Sequence, residues 1–209
     1  MSETTSRSDH LRASPPLLPI ASLDRLTRVH HLVPVIIFVP AVVALLVIGL
    51  GRTSVLAVVG LFAGGYLMWT LAEYWIHRVV FHFEPEEGFG AKVHFLIHGV
   101  HHEHPNDPLR LVMPPLASIP LAIAFALLFR WVFGYDMWLP VTAGFLAGYV
   151  IYDELHYLLH HHVPSNGIGR RLRELHMRHH FQDDTRGFGI SAPYWDKVFC
   201  TNVRKRTGT

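Results

Sequence analysis

TSVLAVVGLFAGGYLMWTLAEYWIHRVVFH, residues 53–82, is the stretch whose reading decides the fold. Its first 20 positions, 53–72, carry no formal charge, and the segment then ends on His77 and His82. A bilayer span needs about 20 apolar residues, within a range of about 17–25. Three further uncharged windows lie at residues 29–51, 111–129 and 137–152, of 23, 19 and 16 positions. The last is short, and it spans only with Trp138 and Tyr152 in the interfaces. A helix buried in a soluble bundle shows a polar stripe every three to four residues. Residues 42–47 and 55–68 show none.

Composition agrees with a membrane protein. The 209 residues are 50% hydrophobic and 16% charged, whereas soluble domains carry about 25% charged residues. The net charge of +2 is too small to argue for nucleic acid. The single cysteine, Cys200, excludes a disulfide framework and a cysteine-based zinc module. The expected fold is an all-α integral membrane protein with four transmembrane helices paired as two hairpins. The turns fall at residues 49–54 and 130–136. Gly60-x3-Gly64 and Gly144-x3-Gly148 are candidates for close helix approach. Residues 1–28 read as a polar, proline-broken tail, 29–203 as the membrane-embedded domain, and 204–209 as a basic C-terminal tail.

With an even number of spans, the N-terminus, the 73–110 loop and the C-terminal region share one side. That side holds 16 basic residues, and the other holds only Arg52 and Arg130. The positive-inside rule places the basic side in the cytoplasm, where the loops would form a helical cap.

The cap carries the chemistry. Ten of the 17 histidines fall in four clusters: His77-x4-His82, His98-Gly-Val-His101-His102, His156-x3-His160 and His176-Met-Arg-His179-His180. A lone helical histidine is usually a hydrogen-bonded structural residue; four internal, interrupted clusters at the ends of spans are neither that nor a purification tag. Positions i and i+4 of a helix lie about 40° apart, so His98 and His102 share a face, as do His156 and His160, and His176 and His180. His101 points about 100° away from His102, toward a second site, and His179 repeats that division. His77 and His82, five apart, need a bulge or a helix end between them.

Imidazole suits zinc, iron, copper and nickel, and ten ligands are too many for one closed structural zinc, which takes four. Five per metal leaves one octahedral position open on each of two metals. Ten neutral imidazoles around two divalent cations leave four positive charges, which nearby carboxylates can offset. Glu73, Asp107, Asp153 and Asp196 are the candidates. His10, His30, His31, His94, His104, His161 and His162 do not fit the cluster spacing.

Several segments together resemble one known family. They are HRVVFH (77–82), HGVHHEHPNDPLRLVMPP (98–115), YDELHYLLHHH (152–162) and HMRHH (176–180), followed by GFG (187–189) and WDKVFCT (195–201). They resemble the fatty acid hydroxylase/sterol desaturase superfamily, with the nearest likeness to fatty acid 2-hydroxylases, over about residues 29–203. The resemblance implies an integral membrane enzyme that uses a dinuclear metal centre, dioxygen and two electrons to put oxygen into a lipid C–H bond. It implies that His77, His82, His98, His102 and His179 hold one metal, and His101, His156, His160, His176 and His180 the other. The metal would be iron in the working enzyme, or zinc as isolated, since zinc outranks ferrous iron at nitrogen ligands.

The implied substrate is a fatty acyl chain oxidised beside its carboxyl or amide, with Arg110, Tyr152, Tyr194 and Trp195 shaping the entrance. Eukaryotic members carry a fused haem domain before the first span, which 28 polar residues cannot make. A separate cytochrome- or ferredoxin-type donor is expected. So is a bacterial inner-membrane location, or the endoplasmic reticulum in a eukaryote. A desaturase or a sterol or carotenoid oxidase would use the same centre. A metal transporter or sensor would instead place ionisable ligands near the bilayer midplane, and residues 42–47 and 57–64 contain none.

Overall fold

The computed structural model describes residues 6–83, 85 and 87–204. The C-terminal tail expected at 204–209 therefore lies, beyond Arg204, outside the described residues. Among the described residues every regular element is helical. In chain order they are α1 (Arg7–Arg12), α2 (Ala21–Arg25), α3 (Leu32–Leu50) and α4 (Val55–Trp75), which runs on into a π-helical turn, Ile76–Phe81. Next come α5 (Gly88–His94), a second π-helical turn at Phe95–Gly99, and α6 (Val100–Glu103). The chain finishes with α7 (Pro115–His161), α8 (Gly167–Phe181) and α9 (Tyr194–Val198).

Three helical runs are long and apolar enough to cross a membrane: Leu32–Leu50, Val55–Phe81 and Pro115–His161. Only 17%, 22% and 11% of their most apolar windows are buried within the protein. In water that outward-facing apolar surface would be untenable, and in lipid it is the normal state. The 19 residues of α3 rise about 28 Å at 1.5 Å per residue, close to the thickness of the hydrocarbon core.

The 47-residue α7 contains the window read at 137–152 and, from Pro115 on, the one read at 111–129. It is not straight. Gly134 leaves helical geometry, with φ +75° and ψ −173°, a conformation open to glycine and costly for other residues. The Phe125 and Phe145 ring centroids lie 4.5 Å apart, although 20 residues of continuous helix would separate them by about 30 Å. The two arms of α7 therefore fold back on each other around Gly134, inside the turn expected at 130–136.

α7 packs chiefly against α4 and α3. In lipid the association of helices rests on close contact rather than on escape from water. Gly144 meets the backbone of Phe62 and Gly65 meets that of Val141, where an added methyl would collide with main chain. Of the glycines singled out in the sequence, Gly144 and Gly148 do make close contacts, Gly148 against Trp69. Gly60 and Gly64 have nothing within 4 Å of an added Cβ. The glycine that matters on α4 is Gly65.

The N-terminal segment is docked onto the middle loop from α1 onward. Asn106 N–H donates to Leu11 O at 2.9 Å, and Val29 N–H to Leu109 O at 2.7 Å. Asp24, 3% exposed, pairs with Arg28 at 2.6 Å and Arg110 at 3.7 Å. The Leu17 N–H, donating at 2.6 Å, is the largest influence holding its carboxyl below the usual range.

Candidate metal centre

The ten clustered histidines converge into two nests, drawn from the last turns of α7, the π-helical turn after α4, the middle loop and α8. One contains His77, His82, His98, His102 and His179, and the other His101, His156, His160, His176 and His180. Within each nest the five potential ligand nitrogens all lie within 4.8 Å of one another. These are the two sets of five named from the sequence. His101 and His102 part company because consecutive helical residues point about 100° apart, and His179 and His180 do the same on α8. The nests adjoin, with the His102 and His180 rings stacked at 4.2 Å.

The bulge expected between His77 and His82 is the π-helical turn Ile76–Phe81. Its His82 N–H reaches back to His77 O at 3.2 Å, an i→i+5 bond that brings the two rings onto one side. His98 sits in the second π-helical turn, which its four-residue spacing from His102 did not signal.

The donor chemistry of the first nest fits a cation. His77 Nδ1 faces Phe188 O at 2.8 Å, and His179 Nδ1 faces Arg186 O at 2.7 Å. A carbonyl can only accept, so both Nδ1 atoms carry the proton and both Nε2 atoms are bare lone pairs. His82 Nε2 lies 3.3 Å from one and 3.1 Å from the other, and one proton on it can serve only one of them. His98 Nε2 and His102 Nε2 are buried with no hydrogen-bond partner among the described residues. In the second nest His160 Nε2 meets His176 Nε2 at 2.8 Å, and His101 Nε2 meets His180 Nε2 at 3.1 Å. Ring nitrogens crowded this closely, with the Nδ1 atoms of the same four rings unpartnered among the described residues, are what a shared cation would suit.

Burial keeps the rings neutral, as ligation requires. Desolvation, reinforced by neighbouring histidines, holds His98, His101, His176 and His180 well below the ordinary imidazole value. The same two causes bring His82 down to about 3. Desolvation also lowers His179, against the opposing Arg186 carbonyl.

Of the expected carboxylates, Glu73 and Asp196 sit one layer back. Glu73 accepts from Ser191 N–H at 2.7 Å and from its hydroxyl. Asp196 accepts from Phe188 N–H and Gly189 N–H, both at 2.9 Å, and from the Thr201 hydroxyl at 2.8 Å. Both acids therefore grip the 186–191 segment, whose carbonyls orient His77 and His179. Asp107 accepts from Leu109 N–H at 3.0 Å and pairs with Arg110 at 3.8 Å. Asp153 is 1% exposed, one helical turn before His156. The Phe188 and Arg186 carbonyls were missed in the sequence. The only signal for them was the glycine pair around Phe188, where Gly187 has φ +81°.

The residues expected at the substrate entrance divide. Arg110 is 8% exposed and engaged by Asp24 and Asp107. Tyr194 and Trp195 both donate to Thr70 Oγ1, at 2.8 and 3.2 Å, and so pin α9 to α4. Tyr152 stands between an apolar slot and the second nest, 5.7 Å from the Trp69 ring and 5.8 Å from His156. The slot is lined by Trp69, Met113, Ser118, Phe125, Phe145 and Tyr149, among others, between α4 and the two arms of α7. Two histidines outside the nests clamp backbone: His94 faces Phe81 O at 2.7 Å, and His104 faces His10 O at 2.7 Å.

Comparison with known proteins adds to this geometry. The fatty acid hydroxylase family profile matches residues 62–201. The dihydroceramide fatty acyl 2-hydroxylase FAH2 of Arabidopsis thaliana is 39% identical over 79% of this chain and 70% of its own length. The ceramide very long chain fatty acid hydroxylase SCS7 of Saccharomyces cerevisiae is 38% identical over 86% of this chain and 47% of its own. The rat fatty acid 2-hydroxylase is 40% identical over 69% of this chain and 40% of its own. The chain thus spans about half or less of the yeast and rat relatives. A solved structure of full-length scs7p, with only its hydroxylase domain visible, superposes with a TM-score of 0.82 at 36% identity, covering 88% of this chain and 71% of that one.

Proposed function

The chain belongs to the fatty acid hydroxylase family, and from that premise we propose that it hydroxylates a fatty acyl chain at the carbon beside its carboxyl or amide. The observation that carries this reading is two five-histidine nests gathered at the ends of long apolar helices. The relatives in plants, yeast and mammals bear names describing fatty acyl 2-hydroxylation or ceramide fatty acid hydroxylation.

His77, His82, His98, His102 and His179 would hold one metal ion, and His101, His156, His160, His176 and His180 the second. The pair, iron in the working enzyme and zinc as isolated, supplies the dioxygen activation that no side chain here provides. The protein's own contribution is placement. The Phe188 and Arg186 carbonyls hold protons on His77 Nδ1 and His179 Nδ1 and aim their Nε2 atoms inward. Trp69, Phe125 and Phe145 give an apolar wall that an acyl tail would have to part in order to enter, and Tyr152 stands beside His156. Carbons near the head group then reach the nests, whereas mid-chain carbons lie deep in a core about 30 Å thick.

The break at Gly134 supports four spans in two hairpins, with the nests in a cytoplasmic helical cap. Reporter fusions near Pro105 and Thr209 should both read cytoplasmic. The membrane is the bacterial inner membrane, or the endoplasmic reticulum in a eukaryote. The reaction is tested with labelled dioxygen, a reductant and a long-chain acyl lipid. One labelled oxygen on the carbon beside the carboxyl is expected. A mid-chain double bond without label would instead make the protein a desaturase.

A further inference from the structure

Insertion of oxygen into a C–H bond has a fixed balance. One atom of dioxygen enters the bond and the other leaves as water, which consumes two electrons and two protons. If the hydroxylase reading holds, two one-electron carriers are oxidised per turnover, and each must come close to the nests, because electron transfer weakens steeply with distance. The inner face of α8 supplies His176 and His180 to one nest and His179 to the other. A point on its outer face is therefore separated from both nests by one helix, about 10–12 Å across with side chains.

That outer face carries an open groove of about 510 Å³. Its wall is built from Arg170, Arg173 and Arg178, with Met177, Phe181 and Val163 between them. Val163 is 76% exposed and Phe181 47%. Arg173 Nε is buried without a hydrogen-bond partner among the described residues. The carboxylate in the groove, Glu174, already bonds Arg178 and, at 2.8 Å, Arg171. The groove is thus cationic, with an apolar floor. Arginine, methionine and aromatic residues around a small apolar centre are what protein interfaces enrich. Opposed charge at the rim sets the rate at which a partner arrives.

We infer that the outer groove of α8 is the docking site for an acidic one-electron carrier protein, which delivers electrons across α8 to both nests. The inference rests on the hydroxylase reading for its purpose, but its binding claim stands alone. The exposed Arg170 leads the attraction, and Met177 and Phe181 supply the contact that fixes the carrier over the helix. A lipid headgroup would also favour the arginines. It would not need an apolar floor on the helix that carries three of the ten histidines.

The test uses the full chain in nanodiscs of uncharged lipid, with a plant-type ferredoxin and an acidic soluble cytochrome as probes. Binding of either by light scattering or fluorescence should weaken steeply with salt. In Arg170→Glu protein it should weaken by roughly several-fold, while the thermal midpoint stays put. Conservative Arg170→Lys protein should retain most of the binding. Turnover driven by the carrier should show the same rise in apparent KM for carrier. Turnover driven by a small neutral reductant should be unchanged.

Three outcomes overturn the inference. They are binding of neither carrier, equal binding by wild-type and charge-reversed protein, and equal loss of turnover with carrier and small reductant. A rise in KM for the lipid alone would assign the groove to a headgroup and equally overturn it. Carrier binding that is lost on charge reversal, with no oxygenated lipid under either reductant, would sustain the docking site and sink the hydroxylase reading instead.

Discussion

Replacing Asp196 by alanine should cost the protein stability and metal affinity while leaving all ten histidines in place. Asp196 is 3% exposed and accepts from the Phe188 and Gly189 N–H groups and from Thr201. Both N–H groups belong to buried residues, so alanine leaves two donors without an acceptor. An orphaned buried donor costs about 1–3 kcal/mol, which sums here to roughly 2–6 kcal/mol. Asparagine keeps one acceptor oxygen, so about half that loss is expected. Against a typical folding stability of about 5–15 kcal/mol the alanine change is severe.

The second effect travels through the carbonyls. When the 186–189 turn loosens, His77 and His179 lose the groups that fix their tautomer, and such losses cost about 10- to 100-fold in metal affinity. Purified variants in nanodiscs should be ranked by thermal midpoint and by the chelator concentration that strips half the metal. The expected order on both scales is wild type, then Asp196→Asn, then Asp196→Ala. An alanine variant that melts lower but keeps the wild-type chelator profile would refute the carbonyl clamp and leave Asp196 with a folding role only.

Three further outcomes are expected. His101→Ala should abolish product formation and reduce bound metal from about two ions per chain, while His30→Ala, at an exposed position, should leave both nearly unchanged; equal metal content in the two, by elemental analysis, would overturn the nest assignment. Gly65→Ala should fail to fold or melt far lower, since its methyl would meet Val141 main chain, whereas Gly64→Ala should be tolerated; melting in detergent decides, and equal midpoints would count against close approach at Gly65. In metal-stripped protein the thermal midpoint should fall as pH drops from about 7 to 5. Burial holds His98, His101 and His102 below the ordinary value, so the unfolded chain takes up protons that the folded chain refuses. The stability is present above about pH 6.5 and is lost below it; a flat profile would contradict neutral, buried rings.

The sequence disclosed the histidines because ligand geometry leaves a side-chain signature. Spacings of four put two rings on one helical face, and adjacent histidines must diverge. The five-residue gap between His77 and His82 demanded a local over-wide turn, and a π-helical turn lies there. The similar turn at Phe95–Gly99 left no trace, because His98 to His102 already reads as ordinary helix. Spans were legible from the absence of charge, and the reversal at Gly134 from its place between Arg130 and Asp136. Helix contacts were legible only in part. Glycine spacing suggests a close approach, but only packing shows that Gly65 faces Val141 while Gly64 faces open space. The docking of residues after Arg7 was illegible for a related reason: Asp24 finds Arg110 across 86 positions, and no local pattern announces it.

The acids show how proximity in sequence can be right while the expected contact is not. Glu73 and Asp196 were singled out as charges near the clusters, able to offset the excess of two divalent cations held by neutral ligands. Both are buried close to the nests, yet their oxygens are occupied by backbone N–H groups and by the Ser191 and Thr201 hydroxyls. A carboxylate bonded directly to His77 Nδ1 could draw the proton and leave an anionic ring. A carbonyl cannot, so it fixes the tautomer and adds no charge. By placing the carboxyl groups on the far side of the 186–191 segment, the fold leaves the imidazoles bonded to carbonyls and still sets two acidic side chains behind the site. The two tasks, orientation and charge balance, are divided between groups that one carboxylate per histidine would have combined. Only the second task leaves a residue type that a sequence can display.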